Sequence, residues 1–153
     1  MAYFPLFVDL AGKEILVIGG GKIAARRAGT LSEFGCRITV VSPEICEKMQ
    51  ELFTEGKIRW KEEAYRKDIL SEYQPFFVLA AAGKKVNALV VSDCRERKLP
   101  VNDASEKENC DFYFPGIIKE RDAVVGVTSG GGDHKLAAAL SEAVRKFIKE
   151  MER

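Results

Sequence analysis

The sequence has 153 residues, 46% hydrophobic and 31% charged, with Lys+Arg 24 against Asp+Glu 23. Such values exclude a disordered chain, and the near-zero net charge gives no global field to recruit nucleic acid or anionic lipid. No apolar run approaches the ~20 residues of a membrane span, and Met1-Ala2-Tyr3-Phe4-Pro5-Leu6 lacks the basic flank of a signal peptide, so a cytoplasmic chain of one domain plus a short appendage is expected.

After an apolar lead-in from Tyr3 to Leu10, the turn Ala11-Gly12-Lys13 introduces a first strand, Ile15 to Ile18, whose unbroken apolar run reads as buried on both faces. Gly19-Gly20-Gly21 breaks it, and a helix is predicted from there to about Phe34, stopped by Gly35. Arg37-Ile38-Thr39-Val40-Val41 is a second strand, and Pro43, with no amide hydrogen, ends it. Ile45, Met49, Leu52 and Phe53 fall at helical intervals. Ile58 to Lys61 reads as a short strand, and Tyr65 to Tyr73 as a polar loop or short helix. Phe76 to Ala81 is a further buried strand. It opens at Ala82-Gly83 into a helix from Val86 to Arg97, with Val86, Leu89, Val90 and Cys94 on its apolar face. Pro100-Val101-Asn102 starts a fifth strand, followed by the polar run Asp103 to Asn109. Two more strands, Phe112 to Ile118 and Ala123 to Thr128, flank the charged turn Lys119 to Asp122. Ser129-Gly130-Gly131-Gly132-Asp133 leads to a last helix from about His134.

The alternation of strands and helices predicts an α/β fold, a Rossmann-like parallel sheet with helices on both faces, joined by right-handed crossovers. Ligands of such sheets bind beyond the carboxyl ends of the strands. Those ends supply Gly19 to Gly21, Ser42-Pro43-Glu44, Ala81-Ala82-Gly83 and Asn102-Asp103, which therefore share one rim.

Gly19-x-Gly21-x-x-Ala24 matches the dinucleotide fingerprint, with alanine in the third place. Gly19 permits the turn, Gly21 lets backbone approach a pyrophosphate, and Ala24 lets helix and strand pack closely. Glu44, just past the second strand, is placed either to accept from adenosine ribose hydroxyls, favouring NAD over NADP, or as an exposed glutamate at a helix start. Arg26 and Arg27 read as solvated helix positions. The Ser129 turn is a second anion nest or a simple helix entry capped by Asp133. Cys36, Cys46, Cys94 and Cys110 are irregularly spaced, with no C-x-x-C pair. Reduced thiols in packing roles are expected, and no metal ligands are assigned. The alternative is a metal site using His134, the only histidine, which also reads as either a proton donor or a plain surface residue.

These residues, taken together, resemble the precorrin-2 dehydrogenase family, the N-terminal module of siroheme synthases. The similar stretches are Phe4-Pro5-Leu6-Phe7, Val17-Ile18-Gly19-Gly20-Gly21-Lys22-Ile23-Ala24, Val40-Val41-Ser42-Pro43, Cys110-Asp111-Phe112-Tyr113-Phe114-Pro115 and Thr128-Ser129-Gly130-Gly131. The resemblance implies NAD-dependent oxidation of precorrin-2, a tetrapyrrole with many carboxylates, to sirohydrochlorin; some members then insert ferrous iron. It implies cofactor contacts at Lys22-Ile23 and Pro43-Glu44, which join Gly19, Gly21, Ser42, Ala81 and Asn102 on the rim. Residues 1–110 would form the NAD-binding domain and residues 111–153 a dimerisation segment, making the chain a homodimer. Ser129 matches a serine that some members phosphorylate.

Two departures from the family pattern bear on chemistry. Bifunctional members carry an aspartate at the end of the fifth strand, the family's general base. Counting back from Cys110-Asp111-Phe112 puts Ser105 in that place, with Asp103 two residues earlier, so both are catalytic candidates. A neutral serine cannot replace a carboxylate as base at pH 7. Hydride transfer needs mainly positioning, so dehydrogenation survives this change better than iron chelation does. Many relatives also continue into a further helical domain, so a smaller and more open site is expected here. The rival reading is a non-catalytic NAD- or tetrapyrrole-binding partner of another enzyme. An ordinary small-molecule dehydrogenase would leave the segment from Phe112 to Gly131 unexplained.

Overall fold

A computed structural model of the chain describes residues 4–130 and 133–151, which form two compact units: Asp9–Phe112, and residues 4–8 with the described part of Tyr113–Arg153. The larger unit follows from the runs of β-branched residues. β1 (Glu14–Ile18), β2 (Arg37–Val41), β3 (Arg59–Lys61), β4 (Phe77–Ala80) and β5 (Val101–Asp103) form one sheet in the order β3-β2-β1-β4-β5, every pair parallel. α1 (Lys22–Leu31) leaves β1, α2 (Glu47–Thr54) follows β2, α3 (Ile69–Tyr73) precedes β4 and α4 (Lys84–Glu96) joins β4 to β5. The chain moves outward from β1 to β3 and then returns to β4 beside β1. That reversal makes the carboxyl ends of β1 and β4 the ligand crevice of such a sheet.

Alternation along the strands sorts the core into two layers. Leu16, Ile18, Val41, Val78, Ala80 and Val101 face one way and pack with Ile69 and Leu70 of α3 and Val90 and Cys94 of α4. Burial in that layer pushes the Cys94 thiol up to about 12, so it behaves as an inert packing group. α1 follows its prediction closely. Ala24, Ala25, Ala28 and Leu31 are buried, a 3₁₀ turn continues through Phe34, and Gly35 closes it in the left-handed conformation (φ +69).

α4 departs from its expected face. Leu89 is 61% exposed, while Asn87, Val90 and Cys94 are buried. Those three positions lie at i, i+3 and i+7 and make the stripe that meets the sheet; Leu89 lies outside it.

The opposite, amino ends of the strands are joined by Glu14. One carboxylate oxygen accepts from the Thr39 hydroxyl of β2 at 2.7 Å, and the other from Arg59 of β3 at 2.6 Å and Arg37 at 3.4 Å. The two arginines are more than half exposed, and Thr39 is 1% exposed, so the buried hydroxyl carries most of the value.

In the smaller unit, β6 (Gly116–Glu120) and β7 (Ala123–Val127) form an antiparallel hairpin with Arg121 at φ +51 in its turn, and α5 (His134–Met151) packs on it. The first strand starts later than predicted. Phe112, Tyr113 and Phe114 are not strand residues, because Pro115 has no amide hydrogen to extend the ladder. Ser141 of α5 is buried, and a Cβ at Gly116 would stand 3.0 Å from its hydroxyl oxygen, so the hairpin and helix approach closely there. Asp133 accepts from the Leu136 amide at 2.9 Å, the capping role expected of it. Ser129 accepts from the Asp133 amide at 3.1 Å. Gly131, Gly132 and the His134 side chain, on which the second anion nest and the proton donor depend, lie outside the described residues.

Glu14→Ala strands the Thr39 hydroxyl without its acceptor. Urea unfolding followed by circular dichroism is expected to show a loss of about 1–3 kcal/mol, with Arg59→Ala costing less than 1 kcal/mol.

Candidate functional site: the crevice at the carboxyl ends of β1 and β4

Three consecutive glycines end β1, and each answers a different constraint. At Gly19 (φ +119) a Cβ would lie 2.3 Å from the Ala81 carbonyl oxygen, so the turn after β1 and the turn after β4 touch backbone to backbone. At Gly20 it would lie 2.1 Å from the Glu44 carbonyl oxygen, and the Gly20 carbonyl accepts from the Cys46 amide at 2.8 Å. Gly20 falls on a free position of the fingerprint, and the sequence carries no signal of its constraint. Gly21 is different. It has ordinary extended dihedrals, φ −81 and ψ −178, and a Cβ there would meet nothing within 4 Å.

Gly21 is the N-cap of α1, whose first turn has no side-chain cap and no acidic residue. Helix-start amides without such a partner, beside open space, suit a bound anion. Lys22 and Ile23 follow at once, both exposed, Ile23 at 49%. Ala24 is fully buried, as the close packing of helix on strand requires.

The end of β2 is a compact turn. The Ser42 hydroxyl donates to the Glu44 carbonyl at 2.6 Å, and the Ser42 carbonyl accepts from the Trp60 indole at 2.9 Å. Ser42 is therefore occupied in building the turn, while Pro43 and the Glu44 carboxylate are exposed. Helix α2 begins only at Glu47, so Glu47, rather than Glu44, holds the acidic first-turn position. This leaves the exposed Glu44 side chain outside that helix turn, in the turn after β2.

Across the crevice the ends of β4 and β5 are locked together by Asn87, 1% exposed on α4. Its Oδ1 accepts from the Ala82 amide at 2.9 Å, and its Nδ2 donates to Asp103 Oδ1 and to Ser105 Oγ, each at 3.0 Å. Asp103 is the last residue of β5, and Ser105 stands in the turn beyond it. A 3₁₀ turn at Lys107–Asn109 lies between Ser105 and Cys110.

Asp103 accepts four hydrogen bonds. Beside that from Asn87, its Oδ1 takes the Ser105 amide at 2.8 Å and hydroxyl at 2.6 Å, and its Oδ2 takes Asn109 Nδ2 at 2.9 Å. Burial pushes this carboxyl up, but the hydrogen bonds from Asn109, Ser105 and Asn87 outweigh it and hold it below the usual aspartate value. It is a fixed anion and a weak proton acceptor.

Neighbouring Asn102 faces the other side of the sheet. Its Oδ1 accepts from Arg27 of α1, and its Nδ2 donates to the Phe112 carbonyl at 2.7 Å. Arg27 is half-buried here and Arg26 exposed, which corrects the expectation that both are solvated. Burial and the Arg26 charge lower its pKa, and the charges of Cys110 and Asp103 raise it.

The four predicted rim pieces thus do converge. Ala81 meets Gly19, Glu44 meets Gly20, and Ala82 is joined to Asp103 and Ser105 through Asn87. Asn87 and Arg27 had no motif to mark them; the one available signal is a polar side chain at helical spacing with Val90 and Cys94.

Comparisons with known proteins agree with this geometry. Residues 6–116 match a family model described as "Putative NAD(P)-binding". The chain is 38% identical over 147 residues to a multifunctional siroheme biosynthesis protein of Ruminiclostridium josui, covering 94% of this chain and 28% of that protein. It is 32% identical over 149 residues to the siroheme synthase of Photorhabdus laumondii, covering 97% of this chain and 31% of that protein. The chain therefore spans roughly a third of the length of these relatives. Among solved structures, a precorrin-2 dehydrogenase, SirC, superposes with a TM-score of 0.73 at 24% identity over 94% of this chain and 70% of its own, a likeness of fold.

Adjacent glycines give a direct test of the turn. Gly20→Ala is expected to cost about 3 kcal/mol or more, because backbone must move, and Gly21→Ala to stay within about 0.5 kcal/mol of the parent. Thermal and urea unfolding of the two variants side by side measures both.

Proposed function

Because the chain belongs to the NAD(P)-binding family that its residues 6–116 match, we propose that it is an NAD-dependent dehydrogenase converting precorrin-2 to sirohydrochlorin. The observation that carries this reading is the uncapped Gly21 turn at the β1–β4 crevice, with an ionised, buried carboxylate, Asp103, on the same rim. The siroheme biosynthesis protein and the siroheme synthase described above supply the substrate class.

Bound NAD supplies the hydride acceptor. The amides of Gly21 and the first turn of α1 would hold its pyrophosphate, with the Lys22 ammonium adding a positive charge and Ile23 apolar cover. Glu44 accepts from ribose hydroxyls and repels a 2′-phosphate, which favours NAD over NADP. Ala81 and Asn102 line the β4–β5 half. Two hydrogens would leave the substrate, one as a hydride that bound NAD would accept and one as a proton. Hydride loss builds positive charge on the tetrapyrrole carbon skeleton, and the Asp103 carboxylate, oriented by Ser105, stabilises it electrostatically. Asp103 serves here as a fixed charge, and solvent takes the proton.

In the smaller unit Leu136, Leu140, Phe147 and Met151 are 50%, 45%, 62% and 71% exposed and recur at four- and seven-residue intervals, one face of α5. We assign that stripe to a homodimer interface. We propose a cytoplasmic location, which the four free cysteines support; no helix among the described residues is long and apolar enough to cross a membrane. The four donors on Asp103 favour one rival, a chain that binds NAD or tetrapyrrole without turning it over.

Anaerobic incubation with precorrin-2 and NAD is expected to produce NADH at 340 nm, and Gly21→Ala to weaken NAD binding at least about tenfold while folding normally. No NADH above a heat-killed control, with NAD still bound, would establish the non-catalytic rival. For the dimer, light scattering is expected to give twice the chain mass, and Phe147→Glu a single-chain mass.

A further inference from the structure

The proposed dehydrogenation assigns no role to Asn87, yet no other described side chain bonds to both turns on the β4–β5 side of the crevice. Its orientation is set by chemistry: the Ala82 amide can only donate, so the carboxamide oxygen faces it, and the NH2 group faces Asp103 and Ser105. With 1% of its surface exposed and both ends bonded, it is held firmly by α4 and cannot trade partners with water.

We propose that Asn87 is a positioning residue for the dehydrogenation, acting through the Ala82 amide and the Asp103 carboxylate to fix the nicotinamide half of the crevice. The inference rests on the reading of the site as an NAD-dependent dehydrogenase. That half lies between β1 and β5 because Glu44 marks the adenosine half on the β2 side. There, Ala82 follows the residue that touches Gly19, so a shift of the turn after β4 is felt at the turn after β1. Asp103 depends on the same amide group. Of the donors on its carboxylate only Asn87 comes from a different element; Ser105 and Asn109 belong to its own following loop. The charged and titratable groups acting on Asp103 include Arg27 from α1 and Cys110 and Glu106 from that loop. None of them ties Asp103 to α4.

Removing the Asn87 NH2 group takes away a bond that favours the ionised carboxylate, so the Asp103 pKa rises. The sign for stability follows. Asp103 is held below its ordinary value of 3.8, so its contribution is present above that pH and lost as pH falls through the folded value. In a variant lacking Asn87 the contribution is smaller and its loss begins at higher pH.

The test compares Asn87→Ala and Asn87→Asp with the parent. Asn87→Asp keeps the shape and an oxygen for Ala82 but puts a second carboxylate against Asp103, and it decides in place of Asn87→Ala should that variant not fold. The Asp103 carboxyl, followed by ¹³C NMR, is expected to titrate about one pH unit or more above the parent. With precorrin-2, kcat is expected to fall at least about tenfold while the Kd for NAD, held at the Gly21 end, changes less than about threefold. Folded variants with parent kcat overturn the inference, as do variants in which Asp103 titrates as in the parent. A parent that yields no NADH fails the dehydrogenase reading instead, and the carboxyl titration then decides alone whether Asn87 holds Asp103.

Discussion

Backbone-to-backbone contact at the carboxyl end of β1 is the constraint on which the rest of the structure depends. The Ala81 carbonyl against Gly19 and the Glu44 carbonyl against Gly20 leave no room for a Cβ at either position. Those two contacts draw the turns after β2 and β4 onto the turn after β1. They also fix the line on which α1 leaves the sheet, and so where its uncapped first turn opens. A side chain at either position would separate strand ends that the parallel register brings level. The glycines are therefore required by the sheet before any ligand is considered, and only Gly21, which faces open space, is left for a ligand to explain.

Beyond the glycine turn the crevice is organised by polar groups that belong to the two faces of β5. Asn102 turns toward α1 and is held by Arg27, and Asp103 turns toward α4 and is held by Asn87. Alternation along a strand of three residues thus connects the strand end to a helix on each side. Since Gly21 is the N-cap of α1, Arg27 links the helix of the uncapped turn to the end of β5. Burial alone would leave Asp103 a poor anion. The surrounding donors reverse that, and in doing so take away the basicity a proton-abstracting carboxylate needs. A carboxylate built this way is suited to holding charge in place.

Much of this architecture was legible in the sequence, because the signals that set it are local. The β-branched runs at Ile15, Ile38 and Val78 gave the central strands, Gly35 gave a helix stop and Pro43 a strand end. What escaped was whatever depends on residues distant in the chain. Leu89 satisfies helical spacing as well as Asn87 does, and only the position of the sheet decides which is buried. Arg27 reads as solvated until Asn102, 75 residues away, is brought against it. The hydrogen bonds on Asp103 come from Asn87, Ser105 and Asn109, partners that no periodicity reports. Phe112 to Phe114 reads as a strand on β-propensity, but a ladder needs amides, and Pro115 supplies none. Polar partnerships are long-range facts, and one-dimensional patterns carry them poorly.

The sheet uses one physical device at both of its ends. At the amino end the Glu14 carboxylate joins β1, β2 and β3 through Thr39, Arg37 and Arg59; at the carboxyl end the Asp103 carboxylate joins β5 to α4 through Asn87. Each is a carboxylate with at least one donor from another element, and chemistry alone does not separate a clamp from a functional group. Location does. The strands of a parallel sheet all end on the same side, where the connecting turns diverge and helix-start amides face outward. At that end the Asp103 carboxylate shares the rim of the sheet with the uncapped turn at Gly21, the side on which such sheets take their ligands. At the other end the turns carry no such amides, and the same arrangement of charge can only hold strands together.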